Sequence, residues 1–291
     1  MPVEDYGPTS HHFVSQRLRL HYLDWGNADA PTLILLHGNL DHARSWDDVA
    51  RALRHDWHVV CPDLRGHGDS AWSPDGAYSM PYFTYDLAQF IRQLGDEQVT
   101  IVAHSMGGAI AVRYSAIYPE KVRKLVSIEG LGPSPTLFAT QAAVPATQRW
   151  REWLENRHAG AALTPRRYPD IDTALKRMRE ANAHLTEAQA RHLTIHGVIR
   201  NEDGSYGWKF DPMARNHTPV EIREEEQHAL WNAVECPVLL VYGKDSWASN
   251  PEMDGRASHF RHARTIAFDK AGHWVHHDRL DGFLEEVRSF I

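Results

Sequence analysis

The chain has 291 residues and 33.2 kDa, with 42% hydrophobic and 24% charged residues and a formal net charge of −7. A chain of this length can bury a large core without disulfides or metals, and its composition is that of a folded globular protein. No Lys or Arg run is long enough for a nucleic-acid or anionic-membrane footprint, and no apolar stretch approaches the roughly 18 residues of a bilayer span.

Two cysteines, Cys61 and Cys236, sit in or beside apolar runs and read as small buried hydrophobes in a reducing compartment. Residues 1–5 show no basic n-region and no apolar h-region, so no secretory signal is expected and the protein is placed in the cytoplasm. The 20 histidines are scattered and read mostly as surface or structural residues. The oligomeric state is open, a homodimer included.

In chain order, short apolar runs at 18–25, 32–37, 57–62, 99–104, 122–128, 238–242 and 265–268 are strand candidates. Helical patterns fall between them at 45–54, 80–94, 107–118 and, at the end, 277–290. In that last segment Leu280, Phe283, Leu284, Val287 and Ile291 recur at spacings of three and four and make one apolar face. Such alternation predicts a mostly parallel sheet covered on both faces. The rhythm breaks from about 133 to 231, where no convincing strand occurs and helical windows at 148–157, 173–183 and 186–199 are separated by Pro and Gly. This stretch reads as a helical cap or lid (133–231) inserted into a core domain formed by 1–132 and 232–291.

The most informative segment is the strand 99–104 running into Ser105-Met106-Gly107-Gly108, with a helix pattern at once behind it. A nucleophile elbow has this form: a nucleophile in a tight strand-to-helix turn, with small residues two before and two after it, here Ala103 and Gly107. Ser105 is therefore the candidate nucleophile. The helix behind it points its positive end at a developing oxyanion, and the Met106 amide is the natural donor. A second donor is expected from the turn His37-Gly38-Asn39 after the strand at 32–37, at the amide of Asn39 with Leu40 as its neighbouring alternative. Among the histidines, His273 is best placed to serve as general base, because Ala271-Gly272-His273-Trp274 follows the last strand candidate and precedes the last helix. His104 reads as a structural or pocket-wall residue, since adjacent strand positions face opposite ways.

Taken together, the order Ser105, acid, His273, the His37-Gly38 turn and the run Asp63-Leu64-Arg65-Gly66-His67-Gly68-Asp69-Ser70 resemble the alpha/beta-hydrolase superfamily. The resemblance covers nearly the whole chain outside the insertion. It implies an eight-stranded, mostly parallel sheet with the helical cap after the sixth strand, and a structural role for the Asp63–Ser70 run. In such relatives the acid is most often an Asp three residues beyond a glycine after the seventh strand. Here that place after Gly243 is Ser246, and Asp245 stands one position early. Glu129 ends the strand at 122–128, where some relatives carry a Glu acid, and a carboxylate at an apolar strand end needs a partner. Glu129 is the preferred acid and Asp245 the alternative.

The expected reaction is cleavage of a carboxylic ester or related small-molecule acyl substrate through an acyl-enzyme on Ser105. The histidines lack H-E-x-x-H or Cys/His ligand spacing and no phosphate-binding glycine motif occurs, so no metal or other cofactor is implied. Trp247, Trp274 and His104 are expected at the substrate wall. The cap adds apolar surface from residues such as Trp153, Tyr168, Trp208 and Trp231, and Arg166, Arg167, Arg200 and Arg215 for a carboxylate. A Ser nucleophile argues against haloalkane dehalogenase and epoxide hydrolase chemistry. The rival readings are a carbon–carbon bond hydrolase of dienone acids, a lactonase or thioesterase and, from another class, a non-catalytic binding protein.

Overall fold

The computed structural model describes residues 6–161, 164–215, 218–219 and 222–291. The N-terminal stretch read for a secretory signal lies outside them. Eight strands form one sheet: β1 (Thr9–Ser15), β2 (Leu18–Asp24), β3 (Thr32–Leu36), β4 (His58–Pro62), β5 (Val99–His104), β6 (Val122–Ile128), β10 (Val238–Gly243) and β11 (Ala263–Phe268). Their order is β1-β2-β4-β3-β5-β6-β10-β11, and every pairing from β4 to β11 is parallel. The β1 and β2 edge is antiparallel, as is the β2–β4 pairing. The sheet was legible from the apolar runs except for β1, whose polar Thr-Ser-His-His start hides an exposed edge strand.

Side-chain alternation divides the interior into two layers. Ile34, Leu36, Ile101, Leu125 and Leu240 point to one face, against Phe83, Leu87 and Phe90 of α2 (Met80–Leu94) and Ile110 and Ala111 of α3 (Met106–Ile117). Leu33, Leu35, Val102, Val126, Leu239 and Val241 point to the other, against Val49 and Leu53 of α1 (Asp47–Leu53) and Phe283, Leu284 and Val287 of α10 (Leu280–Phe290). The latter three residues are the apolar face read from the sequence, and burial of each contributes about 1.5–3 kcal/mol. Cys61 and Cys236 are free thiols, each buried in one of the two layers.

Between β6 and β10 lie α4 (Pro135–Ala142), α5 (Ala146–Ala161), α6 (Ile171–Ala181), α7 (Glu187–Gly197) and α8 (Glu224–Asn232). The expectation of no strand here is corrected: β7 (Arg167–Tyr168), β8 (Val198–Arg200) and β9 (Tyr206–Trp208) form a small antiparallel sheet. Strands of two or three residues are too short for period-two alternation to register in a sequence. Tyr168, Ala174 and Val198 form its core, with Tyr206 and Trp208 packed on them. Trp231 does not face this insertion. It lies in the sheet domain's interior, stacked on Phe260, and α8 packs on α3. Among the described residues no helix is long and apolar enough to cross a membrane.

Candidate active site

Ser105 sits between β5 and α3 with φ 51° and ψ −119°, a backbone conformation that L-residues rarely adopt. The turn is held from both sides. The Ser105 amide donates to the Ile128 carbonyl at 2.7 Å. Gly107 passes so close to the end of β3 that a Cβ there would lie 2.4 Å from the His37 carbonyl oxygen. Ala103 is fully buried in the strand, so a methyl group is accommodated two residues before the serine.

The loop between β11 and helix α9 (Val275–Asp278) carries His273 over this elbow. Its Nε2 lies 2.9 Å from Ser105 Oγ, and its Nδ1 hydrogen-bonds Glu129 Oε2. A carboxylate only accepts, so the Nδ1 proton points at Glu129 and Nε2 is left to accept from the serine hydroxyl.

Glu129 follows β6 with a positive φ of 50° and is 3% exposed. Three partners hold its carboxylate: His273, the Gly243 amide donating to Oε1 at 2.9 Å, and the Ser246 hydroxyl donating to Oε2 at 2.6 Å. Its own amide donates to the Val241 carbonyl, which extends the β6–β10 pairing by one residue. Asp245 is not among these partners. Its side chain is exposed, and its amide donates to the Ala271 carbonyl at 2.9 Å.

The remaining sequence candidates distribute around this centre. Met106 is the first residue of α3, where helical amides lack intrahelical acceptors. Asn39 and Leu40 follow Gly38, where an added Cβ would fall 2.8 Å from His104 Nδ1 and 3.1 Å from Ser105 Cβ. This turn therefore lies against the elbow. Asn39 Oδ1 is 3.1 Å from His67 Nε2, and Leu40 has φ 61°. His104 is 1% exposed, and its Nε2 donates to the His273 carbonyl at 2.9 Å, so it braces the His273 loop from beneath. Burial pushes its imidazole well below the usual range, and the neighbouring His273 adds to this, so the ring is neutral. Trp247 is 71% exposed with its ring 4.8 Å from that of His273. Trp274 is half-buried against Leu175, Leu185, Ala190 and Leu193 of the insertion.

Sequence reading missed Ser246 as a partner of the acid. The signal was present, since Ser246 occupies the position after Gly243 where relatives carry Asp. Only the fold shows the hydroxyl reaching Glu129. Of the four arginines read as carboxylate receptors, three are otherwise engaged: Arg166 stacks on Tyr168, Arg215 on Phe210, and Arg167 pairs with Asp203, while Arg200 is exposed.

The Asp63–Ser70 run is structural. Asp63 accepts from the Ala43 amide at 2.7 Å, the Asp69 amide at 3.0 Å and His21 Nδ1 at 2.6 Å. Burial alone would raise its carboxyl, but the His21 hydrogen bond and the nearby imidazoles hold it at about 2. Arg65 makes a buried two-pronged contact with Asp86, Nε to Oδ2 at 2.5 Å and Nη2 to Oδ1 at 2.7 Å. His37 donates from Nδ1 to the Gly38 carbonyl and accepts the Leu64 amide at Nε2. Burial, with His67 nearby, lowers its pKa to about 3 and keeps it in that neutral form.

A serine in a strained strand-to-helix turn, an imidazole over it and a model of the alpha/beta hydrolase fold family matching residues 31–280 decide the relationship. The chain belongs to the alpha/beta hydrolase fold family. It is 30% identical over 277 residues to the esterase Rv0045c of Mycobacterium tuberculosis, covering 92% of this chain and 85% of that one. It is 32% identical over 243 residues to the 3-hydroxybutyrate-oligomer hydrolase of Cupriavidus necator, covering 78% and 77%. The thioesterase domain from the curacin biosynthetic pathway superposes with a TM-score of 0.82 at 24% identity, over 97% of this chain and 99% of that one, and shares the fold. As a member of this family with esterase relatives, the protein is a hydrolase.

Proposed function

We propose that the protein is a serine esterase that works through an acyl-enzyme on Ser105. The observation that carries this reading is the unbroken hydrogen-bond chain from Ser105 through His273 to Glu129 at the strained elbow. In this mechanism Ser105 Oγ attacks the ester carbonyl carbon while its proton passes to His273 Nε2. Glu129 holds the imidazole in the Nδ1-protonated tautomer and stabilises the imidazolium as it forms. The amides of Met106 and Asn39 receive the negative charge on the tetrahedral oxygen, where a single donor is worth about 3–4 kcal/mol. His273 then protonates the departing alcohol, and water, activated by the same ring, releases the acid.

Ser246 and the Gly243 amide are positioning groups in this scheme. They satisfy Glu129 lone pairs that His273 does not use, which fixes the carboxylate in one orientation. The region 133–231 acts as the cap, and its α6–α7 pair reaches the site through Trp274. Trp247, tilted against His273 and open to solvent, is the apolar wall for an acyl or alcohol group. His104 supports His273 in this reading and does not touch substrate.

A panel of p-nitrophenyl esters of increasing chain length, extended with an oligomeric hydroxyacid ester because one relative is named for that substrate, tests the assignment. Turnover of at least one ester is expected, with an acyl adduct on Ser105 by intact mass after rapid acid quench. Ser105→Ala should lower kcat by about 10⁴-fold or more. Undiminished turnover by that variant, or no labelling of the parent by a fluorophosphonate probe, rejects the mechanism.

A further inference from the structure

Outside the site, three potential metal ligands from two regions of the chain converge. His192 and His196 lie four residues apart on α7, so both rings project from one face of that helix, with centroids 4.7 Å apart. Facing them is Asp47, the first residue of α1 in the sheet domain. One ligating atom from each of the three residues can be chosen so that all lie within 4.8 Å of one another. Zinc-class bonds of about 2.0–2.2 Å set tetrahedral ligand atoms about 3.3–3.6 Å apart, a closure within reach of small side-chain rotations.

The carboxylate supplies an independent sign. Asp47 has a side chain only 3% exposed, and its Oδ1 is buried with no hydrogen-bond partner among the described residues. A buried ionised oxygen without a partner is costly. Its Oδ2, likewise buried without a hydrogen-bond partner among the described residues, lies within ion-pair distance of Arg44 Nη2 at 2.6 Å and His192 Nε2 at 3.2 Å. The other comparable cluster, His21 with Asp63 and Asp69, is committed. Its Asp63 is consumed by His21 and two backbone amides, and its Asp69 by Lys209 at 2.8 Å.

We propose that Asp47, His192 and His196 bind a divalent transition-metal ion of the zinc class, which fastens α7 of the insertion to α1 of the sheet domain. Two imidazoles and one carboxylate suit Zn²⁺, Co²⁺, Ni²⁺ or Cu²⁺ and not the oxygen-seeking Mg²⁺ or Ca²⁺. On binding, the ion takes the Nε2 lone pair of His192 in place of the hydrogen now donated to the Arg44 carbonyl, and the neutral ring carries its one proton on Nδ1. Water completes the coordination. Because Leu193 of α7 packs beside Trp274 and Gln189 donates to the His277 carbonyl at 2.9 Å, fastening α7 also restrains the wall next to His273.

Calorimetric titration of the chelator-treated full chain with ZnCl₂ tests the site, without recourse to turnover. One saturable site is expected, with MgCl₂ silent. His196→Ala and His192→Ala should each weaken zinc binding more than about a hundredfold, beyond the effect of losing an outer-sphere partner. Asp47→Asn should do the same where it folds, and Asp69→Asn should leave zinc binding unchanged. A hundredfold excess of zinc over its Kd should raise the melting temperature of the parent by a few degrees and leave that of His196→Ala unmoved. No saturable zinc binding by the parent, or binding equally tight in the two histidine variants, overturns the proposal.

Discussion

The turns after β6 and β10 each carry a carboxylate, and they use it in opposite ways. Glu129, after β6, is buried and holds three hydrogen-bond partners, one of them His273. Asp245, after β10, faces solvent, and its neighbour Ser246 reaches across to Glu129. The two turns are adjacent because β6 and β10 pair in parallel, with Ile128 opposite Val241. An acid moved from one strand end to the next therefore still meets the same imidazole, given a side chain one methylene longer. In the β10 turn the Ser246 hydroxyl donates to the Glu129 carboxylate. A site of this kind is specified by where its atoms converge and not by which loop supplies them.

The sharpest way to break this contrast is Glu129→Gln. An amide of the same shape can stabilise the wrong imidazole tautomer, and kcat on the best ester is expected to fall about 10³- to 10⁴-fold. A loss of less than tenfold would remove Glu129 from the mechanism. Ser246→Ala deletes one hydrogen bond to a charged group, and a drop in kcat of about tenfold with KM little changed is expected. If KM rises instead while kcat holds, Ser246 belongs to the substrate wall and not to the acid. Asp245→Asn, in the solvent-facing turn, should stay within about twofold of the parent in kcat/KM. A larger loss there would return the acid to the β10 loop.

The smallest effect concerns stability and contrasts the histidine at the elbow with those packed in the interior. His37 and His67 are completely buried, and burial lowers them to about 3 and about 4. The unfolded chain takes up protons on both near 6.5 while the folded chain does not. Stability therefore falls as pH drops from 6.5 toward 4, by about 2 to 3 kcal/mol per pH unit for the pair. Urea midpoints at pH 7, 6 and 5 measure this slope. His67→Gln should reduce it by about 1.4 kcal/mol per pH unit, and an unchanged slope would mean that His67 does not contribute.

Much of the molecule was readable from residue order. Strong apolar runs marked seven of the eight sheet strands because buried parallel strands are apolar on both faces, whereas β1, half exposed and opening on polar residues, gave no such run. The boundaries of α2 at 80–94 were legible because Gly95, in the left-handed region at φ 85°, stops the helix. The segment between β6 and β10 was less so. Helical windows at 173–183 and 186–199 overlap α6 and α7, which the structure caps at Asp170 and Thr186, but its short strands lack a readable period and α8 hides a core residue, Trp231, among charges.

At the site the division is sharper. Local sequence determined the turn at Ser105, because a tight strand-to-helix junction demands small residues such as Gly107 at fixed offsets. It also determined the loop carrying His273, through its place before the last helix. It favoured Glu129 over Asp245 as the partner of that histidine without deciding between them, because both are charged residues at strand ends. Strand order decided between them: the parallel neighbourhood of β6 and β10 buries one carboxylate among Gly243, Ser246 and His273 and turns the other to water. The same holds for Asp47 and the His192–His196 pair of α7, which are more than a hundred residues apart along the chain and are brought together only by packing.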